Sequence, residues 1–418
     1  MSRPRFYYGW VIVAISGITL FVAFGVRLSF TVYFVALTEE FSWPRAETAL
    51  IFSVGMMVFA ATSLFAGIAL DRFGARIVFS VGASFLSLGL YLSSFIQSLN
   101  QLIISYSVVA GIGITILGLG IQAGHLSSWF RSRLGLAIGL AFAGTGMGTL
   151  ILTPAVEIII ANGGWRTAYR FSAILALLLI PLVLIFIRKP THHEWQRVNR
   201  PAAAPSQSNR LRRKNWTLAM ALRTPSFWLV IVAALCAIGP LRMLTVHQMA
   251  VAVGAGFDRL FAAVVIGFSG AVTAVAFVGF GFLSDRMGRQ QTYLIGSICL
   301  TLAIVLLARL DSPYQGIWLV TYAILLGLGE GSRSSLVTAV ASDLFPGQAL
   351  GAINGAVGSA FAVGAAILPW LAGYIFDLNG SYTLAFVAAG FTIIASTLTL
   401  WLAQTLMVRA QGSGLAAD

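Results

Sequence analysis

Twelve long apolar blocks dominate this chain, near residues 10–36, 46–70, 76–96, 100–126, 134–160, 167–187, 225–252, 259–283, 290–309, 316–341, 350–376 and 383–407. Each reaches or exceeds the ~20 residues of helix that cross a hydrocarbon core. Inside a bilayer no water is present to satisfy backbone N–H and C=O groups, so each block must close its own hydrogen bonds as an α-helix. Only 9% of residues are charged, against roughly 25% in soluble domains. The expectation is an all-α integral membrane protein of twelve transmembrane helices. The block that follows the N-terminal "MSRPRFYYGW" is too long for a signal-peptide core and has no small-residue cleavage site, so it is read as the first helix.

The net charge of +13 does not indicate nucleic acid, because the cations collect in alternate loops. Arg3 and Arg5, Arg72 and Arg76, Arg131 and Arg133, a cluster from Arg188 to Arg223, Arg286 and Arg289, and Arg409 lie on one side. The positive-inside rule makes that side cytoplasmic, with both termini and the long loop. The expected domains are an N-terminal six-helix bundle over 1–187, a basic Pro- and Ala-rich linker over 188–224, and a C-terminal six-helix bundle over 225–418. The linker cations suit anionic headgroups of the lipid bilayer. His192 and His193 have no accompanying ligands for a metal, and Cys236 and Cys299 sit within helices and define no disulfide framework. No cofactor is expected.

An internal repeat organises the chain. "GIALDRFGAR" at 67–76 and "GFLSDRMGR" at 281–289 share Gly-x-x-x-Asp-Arg-x-Gly at an offset of 214 residues, each after the second helix of its half. Two related halves are the mark of a transporter. Asp71 and Arg72, and Asp285 and Arg286, can form charge-assisted bonds at the cytoplasmic ends of helices, which makes them candidate gating residues.

These two loops resemble the signature of the major facilitator superfamily, and the resemblance covers the whole chain. It implies two pseudo-symmetric six-helix bundles (the major facilitator fold) alternating about a cavity lined by the first, fourth, seventh and tenth helices. "FYYGWVIVAI" at 6–15 and "WFRSRLGLAIGLAFAGTGMG" at 129–148 resemble the signatures of the monocarboxylate transporter and oxalate–formate antiporter branch. The Gly-Pro pair of drug–proton antiporters is absent from the fifth helix. One departure stands out: that branch places its substrate arginine in the eighth helix, whose stretch "AAVVIGFSGAVTAVAFVGFGFLSD" here carries no charge before Asp285.

Three arginines lie within spans: Arg27, Arg242 and Arg333, in the first, seventh and tenth helices. An arginine at mid-bilayer costs at least about 2.5 kcal/mol on insertion scales and needs water or a partner. Arg27 and Arg242 differ by 215, within one residue of the repeat offset, so the two are expected to face each other as an anion clamp. A similar pairing occurs in the organophosphate–phosphate antiporters of the superfamily. The alternative is snorkelling to an interface, which Arg27 could just achieve. Pro240 is expected to kink the seventh helix beside Arg242.

His247 is either a proton-sensitive substrate ligand or a hydrogen-bonded packing residue. Gln122 is read as facing the cavity. His125 is read as capping the fourth helix or meeting the interface, and Glu157 as solvated or paired near the outer surface. In "GLGEGSRSSL" at 327–336, Glu330 and Arg333 share a helix face. They form either a structural ion pair or a coupling device, in which a proton on Glu330 releases Arg333 to bind an anion. The surrounding glycines and serines suit a helix that bends or lines water.

Three intramembrane arginines less one glutamate leave a positive cavity that prefers anions. The sequence therefore reads as a secondary active transporter of a small organic anion, a monocarboxylate coupled to a proton. The alternatives are a dicarboxylate or organophosphate antiporter using the Arg27/Arg242 clamp, or a transporter-like sensor. Substrate-binding candidates are Arg27, Arg242, His247, Gln122 and Arg333, with Glu330 as the proton carrier. A monomer in a bacterial inner membrane is expected. No nucleophile–base set, metal set or phosphate loop supports an enzyme.

Overall fold

The computed structural model describes residues 7–130, 133–191, 216–346 and 350–414. Most of the predicted linker, with His192 and His193, lies outside the described residues, as do Arg3, Arg5, Arg131 and the residues after 414. The helices are α1 (Gly9–Phe41), α2 (Arg45–Phe73), α3 (Ala75–Ser93), α4 (Leu99–Ser127), α5 (134–163), α6 (165–186), α7 (Pro225–Gly254), α8 (Arg259–Met287), α9 (Arg289–Ala308), α10 (Gly316–Leu344), α11 (Leu350–Asn379) and α12 (Thr383–Gly414). Ten helical stretches among the described residues are long and apolar enough to cross a membrane. One of these, Leu134–Phe186, is two helices, because Gly164 at φ 76° breaks it into α5 and α6. The twelfth helix is α10, whose apolarity is diluted by Glu330 and Arg333. The expected all-helical membrane architecture is therefore present.

The chain divides into two compact units. Unit 1 takes in Met1–Ser42, Val54–Ala204 and Asp258–Ala274; unit 2 takes in Trp43–Ser53, Pro205–Phe257 and Val275–Asp418. Helix α2 begins in unit 2 and continues in unit 1, whereas α8 begins in unit 1 and continues in unit 2.

Within each unit one helix pair approaches through glycine, as expected where lipid gives no hydrophobic drive and packing must do the work. In unit 1, a Cβ on Gly148 of α5 would fall 2.2 Å from the backbone oxygen of Phe21 in α1. In unit 2, a Cβ on Gly364 of α11 would fall 2.0 Å from that of Leu235 in α7. The two repeated loops turn alike: Gly74 has φ 80°, ψ 160° and Gly288 φ 86°, ψ 159°, a left-handed region that strains any residue with a Cβ.

The two branch-signature strings meet at one end of unit 1. The Tyr7 hydroxyl donates to the Trp129 carbonyl, and Tyr7 and Trp10 set their rings edge-on to Phe130, with centroids 5.4 and 5.2 Å apart. The Tyr8 hydroxyl donates to the Phe186 carbonyl at 2.8 Å, and Arg188 lies 4.1 Å from the Tyr8 ring centroid. This aromatic clasp joins the start of α1, the segment before α5 and the end of α6.

Candidate functional site

In unit 2 the seventh and tenth helices bring opposite charges together. Arg242 Nη2 donates to Glu330 Oε1 at 2.7 Å, and each side chain keeps 19% of its surface exposed. That exposure is what an intramembrane ion pair needs if it is to open to water. Pro240, two residues earlier, does not interrupt α7, which runs unbroken as Pro225–Gly254. Beside the pair, the Tyr322 hydroxyl donates to Gln248 Oε1 at 2.8 Å.

This arrangement corrects the sequence reading of α10. Residues three apart diverge by about 60° around a helix of 3.6 residues per turn, enough to send Glu330 toward α7 and Arg333 toward α9. Arg333 is 0% exposed. Its Nη1 donates to the Tyr293 hydroxyl at 2.8 Å and its Nη2 to Ser297 Oγ at 3.3 Å, with the guanidinium 4.9 Å from the Tyr293 ring centroid. Tyr293 and Ser297 in turn meet Ser396 and Thr397 of α12 at 2.5 and 2.9 Å. Glu330 therefore does not hold Arg333, and releasing it would not free Arg333. Across the glycine–serine stretch α10 is continuous, and a Cβ on Gly331 would lie 2.5 Å from Ala276 Cβ of α8. These small residues permit close packing.

His247 is held by a chain of bonds. Arg45 Nη1 donates to the Tyr382 oxygen at 2.8 Å, so the phenol proton is directed to His247 Nδ1 at 2.9 Å, and His247 Nε2–H donates to the Pro369 carbonyl at 2.8 Å. Burial pushes the Tyr382 phenol, in the turn between α11 and α12, up to about 12, so its proton stays in place near neutrality. Asp377 adds the cap of α2, accepting the Arg45 and Ala46 N–H groups at 2.9 and 2.8 Å. His247 is 1% exposed, and its place in this network matches the packing alternative.

In unit 1, Arg27 lies two residues before Ser29, where the regular helix of α1 is broken and the Ser29 Oγ–H donates to the Gly25 carbonyl at 2.7 Å. The Arg27 guanidinium donates to Met56 Sδ and lies 5.3 Å from the Phe59 centroid and 5.7 Å from that of Phe24. Gln122 is fully buried and neither atom of its carboxamide has a hydrogen-bond partner. His125 is also buried, edge-on to Phe79 of α3 at 5.5 Å, rather than at the interface. Glu157, expected near the outer surface, is 4% exposed and lies in the field of Arg259, Asp258 and Glu39. An apolar groove of about 430 Å³ runs between α1 and α5, lined by Trp10, Gly17, Phe21, Leu140, Gly144 and Met147 among others.

The candidate gating residues are placed at helix ends. Asp71 and Arg72 are exposed at the end of α2. Asp285 pairs with Arg289 at 3.6 Å, and Arg289 also reaches Asp343 of α10 at 3.1 Å; Arg286 lies 4.2 Å from the Phe282 centroid. Sequence reasoning missed Tyr293, Ser297, Tyr382 and Arg45. A hydroxyl-bearing residue at the spacing of Tyr293 and Ser297, one face of α9, was the available signal for a cation nearby.

The family model described as Major Facilitator Superfamily matches residues 15–331 and 275–413. Among curated proteins, the chain is 25% identical over 420 residues to monocarboxylate transporter 12-B of Danio rerio, covering 94% of this chain and 86% of the relative. It is 26% identical to monocarboxylate transporter 12 of Homo sapiens, covering 97% and 82%, and 27% identical to monocarboxylate transporter 13 of Rattus norvegicus, covering 93% and 87%. Among solved structures, the nucleoside transporter NupG superposes with a TM-score of 0.69 at 12% identity over 93% of this chain and 99% of that one. A bacterial homologue of the human lysosomal transporter Spinster, inward-facing and unoccupied, superposes at 0.68 with 16% identity over 100% and 99%.

Proposed function

We propose, from the premise that this chain belongs to the Major Facilitator Superfamily and is a transporter rather than an enzyme, that it carries a small monocarboxylate together with a proton. The observation that carries this reading is the Arg242–Glu330 pair, 2.7 Å apart with 19% of each side chain exposed. A proton that binds the Glu330 carboxylate removes its charge and loosens its hold on the Arg242 guanidinium. A substrate carboxylate then takes the vacated place. The loaded unit carries one proton and one anion, and release on the other side restores the ion pair. Glu330 is thus the proton carrier and Arg242 the substrate cation, a role that α8, which has no charge between Arg259 and Asp285, cannot supply. Arg27 supplies the cation of unit 1. The relatives named monocarboxylate transporters support the substrate class. We place both termini and the 188–224 segment on the cytoplasmic side of a bacterial inner membrane.

Uptake of labelled lactate into proteoliposomes under an imposed proton gradient tests the reading. Wild type accumulates lactate. Glu330→Gln keeps exchange of internal for external lactate but no longer accumulates it when a gradient is applied. Gradient-driven accumulation by Glu330→Gln at the wild-type level would refute Glu330 as the carrier.

A further inference from the structure

Helix α4 is interrupted within its apolar span, whereas its counterpart α10 is continuous. It proceeds as an α-helical turn at Leu99–Leu102, a π-helical stretch at Ile103–Ala110 and a further α-helix at Gly111–Ile116. The chain then leaves the helix at Leu117 and Gly118, the latter extended at φ −71°, ψ 167°, and restarts as Leu119–Ser127. The residue 214 positions after Gly118 is Ser332, within the unbroken α10. The fold of a half does not itself require the break.

The restart leaves donors without acceptors. Gly118 N–H donates back to Thr115 at 3.0 Å, and the next backbone donor in the ladder is Gln122 N–H, to Gly118 at 3.0 Å. The N–H groups of Leu119, Gly120 and Ile121 are the free first turn of a helix, and no side chain caps them. Such a turn attracts anions through both the free donors and the helix dipole. Three further observations point to a ligand there. Gln122 is 0% exposed with neither amide atom bonded, and a helical side chain leans over the turn before its own Cα, here the break. Gly120 is exposed, and a Cβ added to it would meet nothing within 4 Å, so one face of the first turn is uncovered. Phe59 of α2 joins the break to a cation: its ring is 3.6 Å from a Cβ built on Gly118 and its centroid 5.3 Å from the Arg27 guanidinium.

We propose that the interrupted turn of α4 is an anion subsite, in which the N–H groups of Leu119, Gly120 and Ile121 and the Gln122 carboxamide receive a carboxylate beside Arg27. The subsite rests on the reading that the cargo is a carboxylate, and gives it a docking point in unit 1 as Arg242 does in unit 2.

The test removes one donor with little change of backbone. Proline suits the first position of a helix, and the extended Gly118 is the conformation that a following proline favours. Leu119→Pro is compared with Leu119→Ala, which loses the same side chain but keeps the N–H. The readout is thermal stabilisation of the purified full chain in detergent by acetate, lactate or benzoate, with gluconate as the ionic control. The concentration for half-maximal stabilisation is expected to be at least about tenfold higher for the proline variant than for the alanine variant, the effect of one hydrogen bond to a charged group. Gln122→Leu supplies a second readout: without ligand it melts at or above wild type, because an unsatisfied buried amide is removed, yet the anions stabilise it less. If lactate stabilises wild type but the proline and alanine variants respond equally, the subsite is refuted and the transport reading stands. If none of the three anions stabilises wild type, both are refuted.

Discussion

The ion pair between Arg242 and Glu330 makes a quantitative demand on stability that is independent of transport. At 2.7 Å between Nη2 and Oε1, the charge centres are roughly 4 Å apart, and at an effective dielectric of about 20 they attract by about 4 kcal/mol. With 19% of each side chain exposed, water screens part of this, and a net charge-assisted hydrogen bond contributes about 1.5–3 kcal/mol. Arg242→Gln and Glu330→Gln each leave one charge with a neutral neighbour, so each is expected to destabilise by roughly 2–3 kcal/mol. The double variant, which leaves no charge, is expected to lose no more than the worse single one. The coupling energy of the cycle is then about 2 kcal/mol. Reversible unfolding in mixed micelles measures all four proteins. Additive losses, within about 0.5 kcal/mol, would show that the pair is not formed and would remove the basis for proton–substrate exchange at Arg242.

Other parts of the structure make separate demands. Tyr293→Phe deletes one of the two acceptors of the fully buried Arg333, the nearer one, and is expected to cost about 1.5–3 kcal/mol in the same unfolding measurement; a neutral result would show that the Tyr293 hydroxyl does not hold Arg333. Gly288→Ala forces a Cβ into φ 86° and should cost about 1 kcal/mol, with Gly74→Ala giving a matching loss because the two turns are alike. Asp377→Ala removes the carboxylate that caps α2, at about 1 kcal/mol, and is expected to speed hydrogen exchange at Arg45 and Ala46 ahead of the rest of α2.

The spans, the repeat and the positions of the intramembrane charges were legible because each follows from one-dimensional pattern: block length, motif offset, and charge within an apolar run. What pairs with what was not. Glu330 has Arg333 three residues away in sequence but bonds to Arg242, 88 residues distant, because the rotational phase of one helix against another leaves no trace in either string. His247 kept two readings until Tyr382 and Pro369 were seen on its two ring nitrogens. The glycines of α4 and α10 look alike as letters. Those of α10 meet α8 and α9 at close range, while Gly118 marks a break, and only the surrounding helices distinguish the two uses. The π-helical stretch before that break carries no signature residue at all.

The clasp of Tyr7, Tyr8 and Trp10 on Trp129, Phe130 and Arg188 makes two distant strings into one unit of inheritance. A substitution on either side alters the same contact, so their effects should be strongly non-additive, and Phe130→Ala should mask part of the effect of Tyr7→Ala, because the two rings meet edge-on. A chimera that takes its first helix from a relative must therefore bring the segment before the fifth helix with it, even though more than a hundred residues of sequence lie between them.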